Sequence, residues 1–261
     1  MTGPKGIAVS RTVVEKAKAL GASLAGICSV EELKKGPSAS LAAGLTKTRI
    51  GSRDSPLGLG PGEVFWPPSA RTAVVIAYAH PERHPELDWW ASDTDSPGNK
   101  RLRQISRMLA DWLRRELDCA AVPLPYHVEE GGVFLKDAAV LAGLGSIGRN
   151  NLLITPQYGP RVRLRALLLS VQLAPTGPEG YDPCACCSAP CLDVCPTAAY
   201  ARRIFSPDDT GLDALPALGF YDRDRCHQQM VADVETARTS SPPVVKYCRR
   251  CELACPVGVG R

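Results

Sequence analysis

No stretch of this sequence approaches the roughly 18 apolar residues that a membrane-spanning helix needs, so no spanning helix is expected. The N-terminus lacks an apolar run followed by a small-residue cleavage site, so no export signal is expected either. There is no low-complexity tract. Neither sign of charge dominates: 31 basic residues stand against 27 acidic ones, a formal net charge of +4. A nucleic-acid footprint would be more basic and more clustered, so charge gives no reason to expect a nucleic-acid partner. With 44% hydrophobic and 22% charged residues the composition is that of an ordinary soluble globular protein. At 261 residues the chain can form one large domain, or a body with a smaller appendage. Against this plain background cysteine is abundant, with 11 in all.

Eight of those cysteines fall into two runs and one outlier. The first run is Cys184-x-x-Cys187-x-x-x-Cys191-x-x-x-Cys195-Pro196. The second is Cys248-x-x-Cys251-x-x-x-Cys255-Pro256, with Cys226 upstream. In two-cluster ferredoxins, closely spaced cysteines wrap one cluster, and the cysteine before proline reaches across to the other. That logic assigns Cys184, Cys187, Cys191 and Cys255 to one [4Fe–4S] cluster, and Cys195, Cys226, Cys248 and Cys251 to a second. The first run departs from the usual spacing by one extra residue in Ser188-Ala189-Pro190, and Cys186 is an alternative to Cys187 in a rearranged loop. Structural zinc and disulfides are the competing readings. Cys-x-x-Cys pairs also hold zinc, but the repeated Cys-Pro endings belong to cluster loops. Disulfides require an oxidising compartment, whereas reduced thiols and the missing export signal point to the cytoplasm. Cys28 and Cys119 lie in apolar surroundings and read as core residues.

The rest of the chain reads as helix and strand in alternation. Arg11–Leu20 has helical apolar spacing, with Gly21 as its C-terminal stop. Ser23–Cys28 is a short strand, Gly36–Pro68 mostly loop with a short helix near Leu41, and Ala70–Tyr78 a buried strand. His80–Asn99 is irregular and carries Trp89 and Trp90, which either cover a pocket or pack. Leu102–Leu117 is an amphipathic helix. A strand is expected over Val122–Val128, a helix over Leu135–Leu141, and strands over Asn151–Thr155 and Val162–Leu173. Pro175–Pro183 reads as a linker. The expectation is an α/β (α+β) body over residues 1–175 and a cysteine domain over 176–261, with a loop-rich insert from Ser206 to Leu218.

Gly143-Leu144-Gly145-Ser146-Ile147-Gly148 satisfies the G-x-G-x-x-G pattern of dinucleotide sites. That site needs a strand before the glycines and a helix after them, so that a pyrophosphate meets a helix N-terminus. Here the helix precedes and β-forming residues follow. The segment is read instead as a glycine turn allowing close backbone approach.

From Glu129 to Leu169 the sequence reads EEGGVFLKDAAVLAGLGSIGRNNLLITPQYGPRVRLRALLL. Followed by the first cysteine run, this resembles the core of the epoxyqueuosine reductases and, more distantly, of the reductive dehalogenases. The resemblance implies a cobalamin-binding body related to the nitroreductase-like fold, followed by a ferredoxin-like domain with two [4Fe–4S] clusters. It implies electron flow from a donor such as ferredoxin or flavodoxin, through the clusters, to a bound cobalamin that reduces a small substrate. By the same resemblance the turn holding Gly143, Gly145 and Gly148, with Arg149 and Asn150 after it, lies near the corrin. Glu129 falls at the position of the family's aspartate proton donor. The sequence differs from the family at Ser96-Pro97-Gly98-Asn99-Lys100, and it ends five residues after Pro256, before the position of the family's tRNA-gripping helical repeats. A shorter relative with a different substrate is therefore expected.

Glu129 and His127 are the candidate proton-transfer residues, because a carboxyl in an apolar pocket can hold a proton at neutral pH. Both also read as ordinary residues, a solvated glutamate pair at a turn and a hydrogen-bonded histidine. Arg161, Arg163 and Arg165 alternate along one strand face, suited either to cofactor phosphate or amide groups or simply to solvent. Two rival functions remain: an electron carrier that reactivates a separate corrinoid protein, and a flavin-linked reductase.

Overall fold

The computed structural model describes residues 4–42, 54–91, 95–201, 221–239, 241 and 244–259. The expected insert at 206–218 lies outside the described residues. The chain divides into two compact units that interleave along the sequence. One comprises Met1–Tyr78, Arg101–Gly145 and Arg163–Tyr181; the other Ala79–Lys100, Ser146–Val162 and Asp182–Arg261. Sequence composition predicts a single crossing near residue 175. The last crossing falls close by, but two earlier segments, 79–100 and 146–162, belong with the cysteine-rich unit.

The first unit is built on a four-stranded sheet of β1 (Leu24–Ser29), β2 (Thr72–Ala79), β4 (Ala121–Pro123) and β7 (Val162–Leu169), in the order β1-β2-β7-β4. β1 pairs antiparallel with β2, and β4 with β7. The central strands are buried along most of their length, which is why they read as continuous apolar runs rather than as alternating ones. Side chains alternate across a sheet, so Ile27, Val74, Ile76, Leu167 and Leu169 share one face. Helices Pro4–Ala19 and Pro97–Leu117 cover that face with Val13, Ala17, Leu102, Ile105, Leu109 and Leu113. Each fully buried aliphatic side chain of this kind contributes roughly 1.5–3 kcal/mol.

The first helix stops where the sequence suggests. Gly21 has φ +107, and its amide bonds the Lys18 carbonyl at 2.9 Å, so the turn requires glycine. The long helix begins at Pro97, five residues before the expected start, because proline suits a first helical turn and Ser96 is buried behind it. Helix Leu135–Leu141 lies against β1. There Gly26 leaves no room for a side chain: a Cβ would stand 2.4 Å from the Ala142 carbonyl. Buried Asp137 of this helix accepts bonds from the Ser38 amide and hydroxyl, both at 2.8 Å.

The expected strand Val122–Val128 is cut to three residues. Pro123 and Pro125 have no N–H for a ladder, and Val128–Glu130 forms a 3-10 turn closed by Gly131 at φ +98. The expected strand Asn151–Thr155 is reduced to Leu153–Ile154 (β6), paired with Ser146–Ile147 (β5). No helix among the described residues is long and apolar enough to cross a membrane.

Candidate functional site

The cysteine unit is organised around two short helices, Pro190–Asp193 and Arg250–Leu253, which pack on each other. Cys191 and Cys251 occupy the second position of each, and each helix is followed by a Cys-Pro pair, Cys195-Pro196 and Cys255-Pro256. Ala189, in the segment that holds the extra residue of the first run, stands at the helix N-cap in the left-handed region with φ 60.

Cys184, Cys187, Cys191 and Cys255 line one cavity, together with Pro183, Pro190, Pro256, Ile154 and Val257. Burial first, and then the neighbouring Cys255, Cys184 and Cys187, push the Cys191 thiol up to about 11. Cys255 is raised by burial and by Cys184 and Cys187, against Val257 backbone and the Arg161 charge, which lower it. Four thiols gathered on one cavity form a set that a metal can deprotonate and bind. Cys186 is exposed and is not among the residues lining the cavity.

A second group forms around Cys251. Its thiol is pushed up to about 12 by burial first, then by Cys226 and Cys248, with a Tyr200 hydrogen bond opposing. Cys226 lies on helix Arg223–Arg238, whose N-cap Asp222 accepts bonds from the amides of Asp224 and Arg225. Cys248 is exposed, and its amide donates to Asp233 Oδ2 at 2.8 Å. Cys195 Sγ accepts from the Ala199 amide at 3.3 Å.

The residues expected near a corrin make the following contacts within the chain. Asn150 is buried; its side-chain amide donates to the Cys251 carbonyl at 3.2 Å, and its own backbone carbonyl accepts from the Tyr200 hydroxyl at 2.9 Å. Arg149 donates to the Cys187 carbonyl. Gly148 packs where a Cβ would meet Ile154 at 2.6 Å, and Gly143, at φ +74, abuts the backbone of Thr176 and Gly177. Gly145 has φ 156. Helix Leu135–Leu141 precedes these glycines and β5 begins within them, the reverse of a dinucleotide loop.

The arginines do not form a solvated face. Arg161 is 3% exposed and donates to the carbonyls of Val257, Leu253 and Cys255 at 2.9, 3.2 and 3.1 Å, clamping the loop that carries the last cysteine. Arg165 is buried and donates to the Leu124 carbonyl at 3.1 Å. Sequence alternation predicts exposure for these residues, since it cannot report which carbonyls a fold leaves unpaired.

Sequence reasoning also missed a polar network beside the second cysteine run. Arg249 lies among Asp88, Glu252 and His80: it is 3.6 Å from Asp88 Oδ2, 2.9 Å from His80 Nδ1, and bonded to Glu252. Buried His80, Asp88 and Glu252 have the ligand types of a cation site, but the guanidinium already supplies the positive charge they surround. Trp90 pairs through β3 (Trp90–Ala91) with β8 (Val244–Val245), and Lys246 lies 4.1 Å over the Trp89 ring. The two tryptophans therefore pack against residues 245–247, just before Cys248. The signal available was their position just before a proline-capped helix, which gives no hint of the partner strand.

In the first unit Glu129 is buried, its carboxyl 3.9 Å from Nδ1 of half-buried His127, and the Ser55 hydroxyl donates to the Glu129 carbonyl at 2.7 Å. The structure thus brings together the two candidate proton-transfer residues.

Fold and site define a mixed helix-and-sheet protein with two groups of closely placed thiols. No family model matches the chain. It is 26% identical over 198 residues to an epoxyqueuosine reductase of Lactococcus garvieae, covering 73% of this chain and 53% of that protein. It is 31% identical over 163 residues to the Gloeobacter violaceus epoxyqueuosine reductase, covering 60% and 46%. A tetrachloroethene reductive dehalogenase of Desulfitobacterium hafniense is 38% identical over 78 residues, 27% of this chain and 14% of the dehalogenase. Among solved structures, an epoxyqueuosine reductase with a tRNA-Tyr stem loop matches with TM-score 0.66 at 20% identity, over 98% of this chain and 66% of that one. A reductive dehalogenase described as suggesting a mechanism for B12-dependent dehalogenation matches with TM-score 0.59 at 18% identity, over 94% and 31%. The chain is thus epoxyqueuosine reductase-like and reductive dehalogenase-like in sequence and in fold. It spans about half the length of the epoxyqueuosine reductases it matches.

Proposed function

We propose that the chain is an iron–sulfur reductase that works with cobalamin. Cys184, Cys187, Cys191 and Cys255 would hold one [4Fe–4S] cluster, and Cys195, Cys226, Cys248 and Cys251 the other. The observation that carries this reading is the cavity shared by the first four thiols, three from one run and one from the far run. A crossing ligand of that kind is the signature of two-cluster loops. Cobalamin enters through the likeness to a B12-dependent relative. The side chains of Arg149 and Asn150 each donate one bond to the cysteine loops, and with the turn before them they are the residues proposed to lie near the corrin.

Bound clusters supply low-potential single electrons, from a donor such as a ferredoxin or flavodoxin. A reduction at carbon also consumes a proton. The buried Glu129 carboxyl is the group placed to deliver it, and the His127 ring, 31% exposed, links that carboxyl to solvent. A second reading, epoxyqueuosine reduction on tRNA, is favoured by the neighbour solved with a tRNA stem loop. That neighbour also counts against the expectation that nucleic acid is no partner.

The test is anaerobic reconstitution with iron, sulfide and cobalamin, followed by analysis of all three and turnover trials on halogenated organics and tRNA stem loops. The proposal expects about eight iron and eight sulfide per chain, from two four-iron clusters, and stoichiometric corrinoid. Glu129→Gln should lower turnover roughly 10²–10⁴-fold while cluster reduction persists. Zinc without sulfide would end the redox reading. Flavin uptake without corrinoid would favour the flavin reductase, and electron transfer to a separate corrinoid protein without turnover would favour the carrier.

A further inference from the structure

Two phenols stand against the second group of thiols. The Tyr200 hydroxyl lies 3.6 Å from Cys251 Sγ and 2.9 Å from the Asn150 carbonyl. The Tyr221 phenol stands beside both Cys226 and Arg223. The two rings lie side by side, centroids 5.7 Å apart and planes tilted by 33°. A phenol has a single proton to donate. For Tyr221 its direction follows from the partners: arginine can only donate, so Arg223 takes the phenol oxygen as acceptor and leaves the proton for Cys226. The Tyr200 proton is shared between a carbonyl and a sulfur. A sulfur carrying the charge of a metal-bound thiolate is the acceptor that gains on cluster binding.

The first group of thiols is furnished differently. Cys187 Sγ accepts a backbone bond from the Ala189 amide at 3.4 Å, and the Arg161 charge lies near Cys255. Neither of these contacts comes from a phenol.

We propose that Tyr200 and Tyr221 set the reduction potential of the cluster held by Cys195, Cys226, Cys248 and Cys251. The inference rests on the two-cluster reading above. Hydrogen bonds to ligand sulfurs are among the main controls of cluster potential. A donor proton stabilises the extra negative charge when the cluster accepts one electron, so each bond moves the potential upward. The electron comes from an external single-electron donor, dithionite in the assay, and no bond to the phenol is broken.

The experiment uses the full chain, reconstituted anaerobically, with Tyr200→Phe, Tyr221→Phe and the double variant. Iron and sulfide are assayed first, and each cluster is then followed by EPR through a mediated redox titration. One of the two midpoints is expected to fall in each single variant, and further in the double, while the other stays at the wild-type value. Site-specific 3-fluorotyrosine at 221, a stronger donor that keeps the ring, should move the same midpoint upward, which covers the case of a phenylalanine variant that loads poorly. Unchanged midpoints, or both midpoints moving together, would overturn the inference while leaving the two-cluster reading intact. Absence of two cluster signals in the wild-type chain would overturn that reading, and the inference with it.

Discussion

The two units are held together by different forces. In the sheet unit Ile27, Ile76, Leu102, Ile105, Leu109, Leu113, Leu167 and Leu169 are fully buried, and the long helix turns its charged residues outward. In the cysteine unit much of the buried material is polar or sulfur-bearing. Arg161 and Asn150 donate to backbone carbonyls, Arg249 holds a carboxylate pair, and the helices that carry Cys191 and Cys251 are four residues long. Helices of one turn are not stable by themselves. The comparison teaches that hydrophobic burial suffices for the first unit, whereas the second depends on polar clamps and on whatever its thiols bind.

Metal removal exposes that contrast most strongly. Structural metal–thiolate sites contribute on the order of 10 kcal/mol to the folding of small domains. After anaerobic chelation, amide hydrogen exchange should become fast over 184–201 and 248–257 while β1 and β2 keep their protection. Cys191 and Cys251 oppose the metal-free fold only weakly at neutral pH, since burial keeps their thiols protonated there. Equal protection in both units with and without metal would erase the distinction drawn above.

Arg161→Met sharpens the comparison with a side chain of similar reach that cannot donate. Three carbonyls lose a charged partner, and leaving such groups unsatisfied costs about 1–3 kcal/mol each when buried. The variant should release iron faster and lose protection around Leu253–Val257. The urea midpoint of the sheet unit should hardly move. If iron release is unchanged, the clamp is incidental to the thiol loop.

The same division explains what can be read from the sequence. In the sheet unit, periodicity locates helix Leu135–Leu141, strand β2 and the long helix, because apolar burial leaves a repeating trace. It fails at Val122–Val128, where prolines silence the ladder that alternation implies. In the cysteine unit, ligand spacing marks the eight thiols and favours Cys187 over Cys186, as the cavity lining does. The partners of those thiols leave no such trace. Asn150, Tyr200 and Arg161 act through carbonyls and sulfurs of distant segments, and such pairings depend on three-dimensional closure rather than on local pattern. Arg149 and Asn150 accordingly read toward a cofactor in the sequence, which gives no sign of the bonds they donate to the loops.

The smallest effect concerns a cysteine that belongs to the other kind of interior. Cys28 on β1 is 1% exposed, and burial alone pushes its thiol from 9.0 up to about 12. With the folded value raised, the unfolded chain loses its proton first as pH rises above about 9. The folded state then binds more protons than the unfolded one, so stability falls with rising pH across that window and is unaffected below it. The slope approaches about 1.4 kcal/mol per pH unit from this one group. Cys28→Ala should cost about 1 kcal/mol at neutral pH through a small cavity, yet flatten the decline between about pH 9 and 12 in urea unfolding of the sheet unit. An equally steep decline in the variant would mean that Cys28 ionises without resistance, and that the core around β1 admits water. The thiols of the cysteine unit, once bound to metal, should show no such dependence, because their protons have already been displaced.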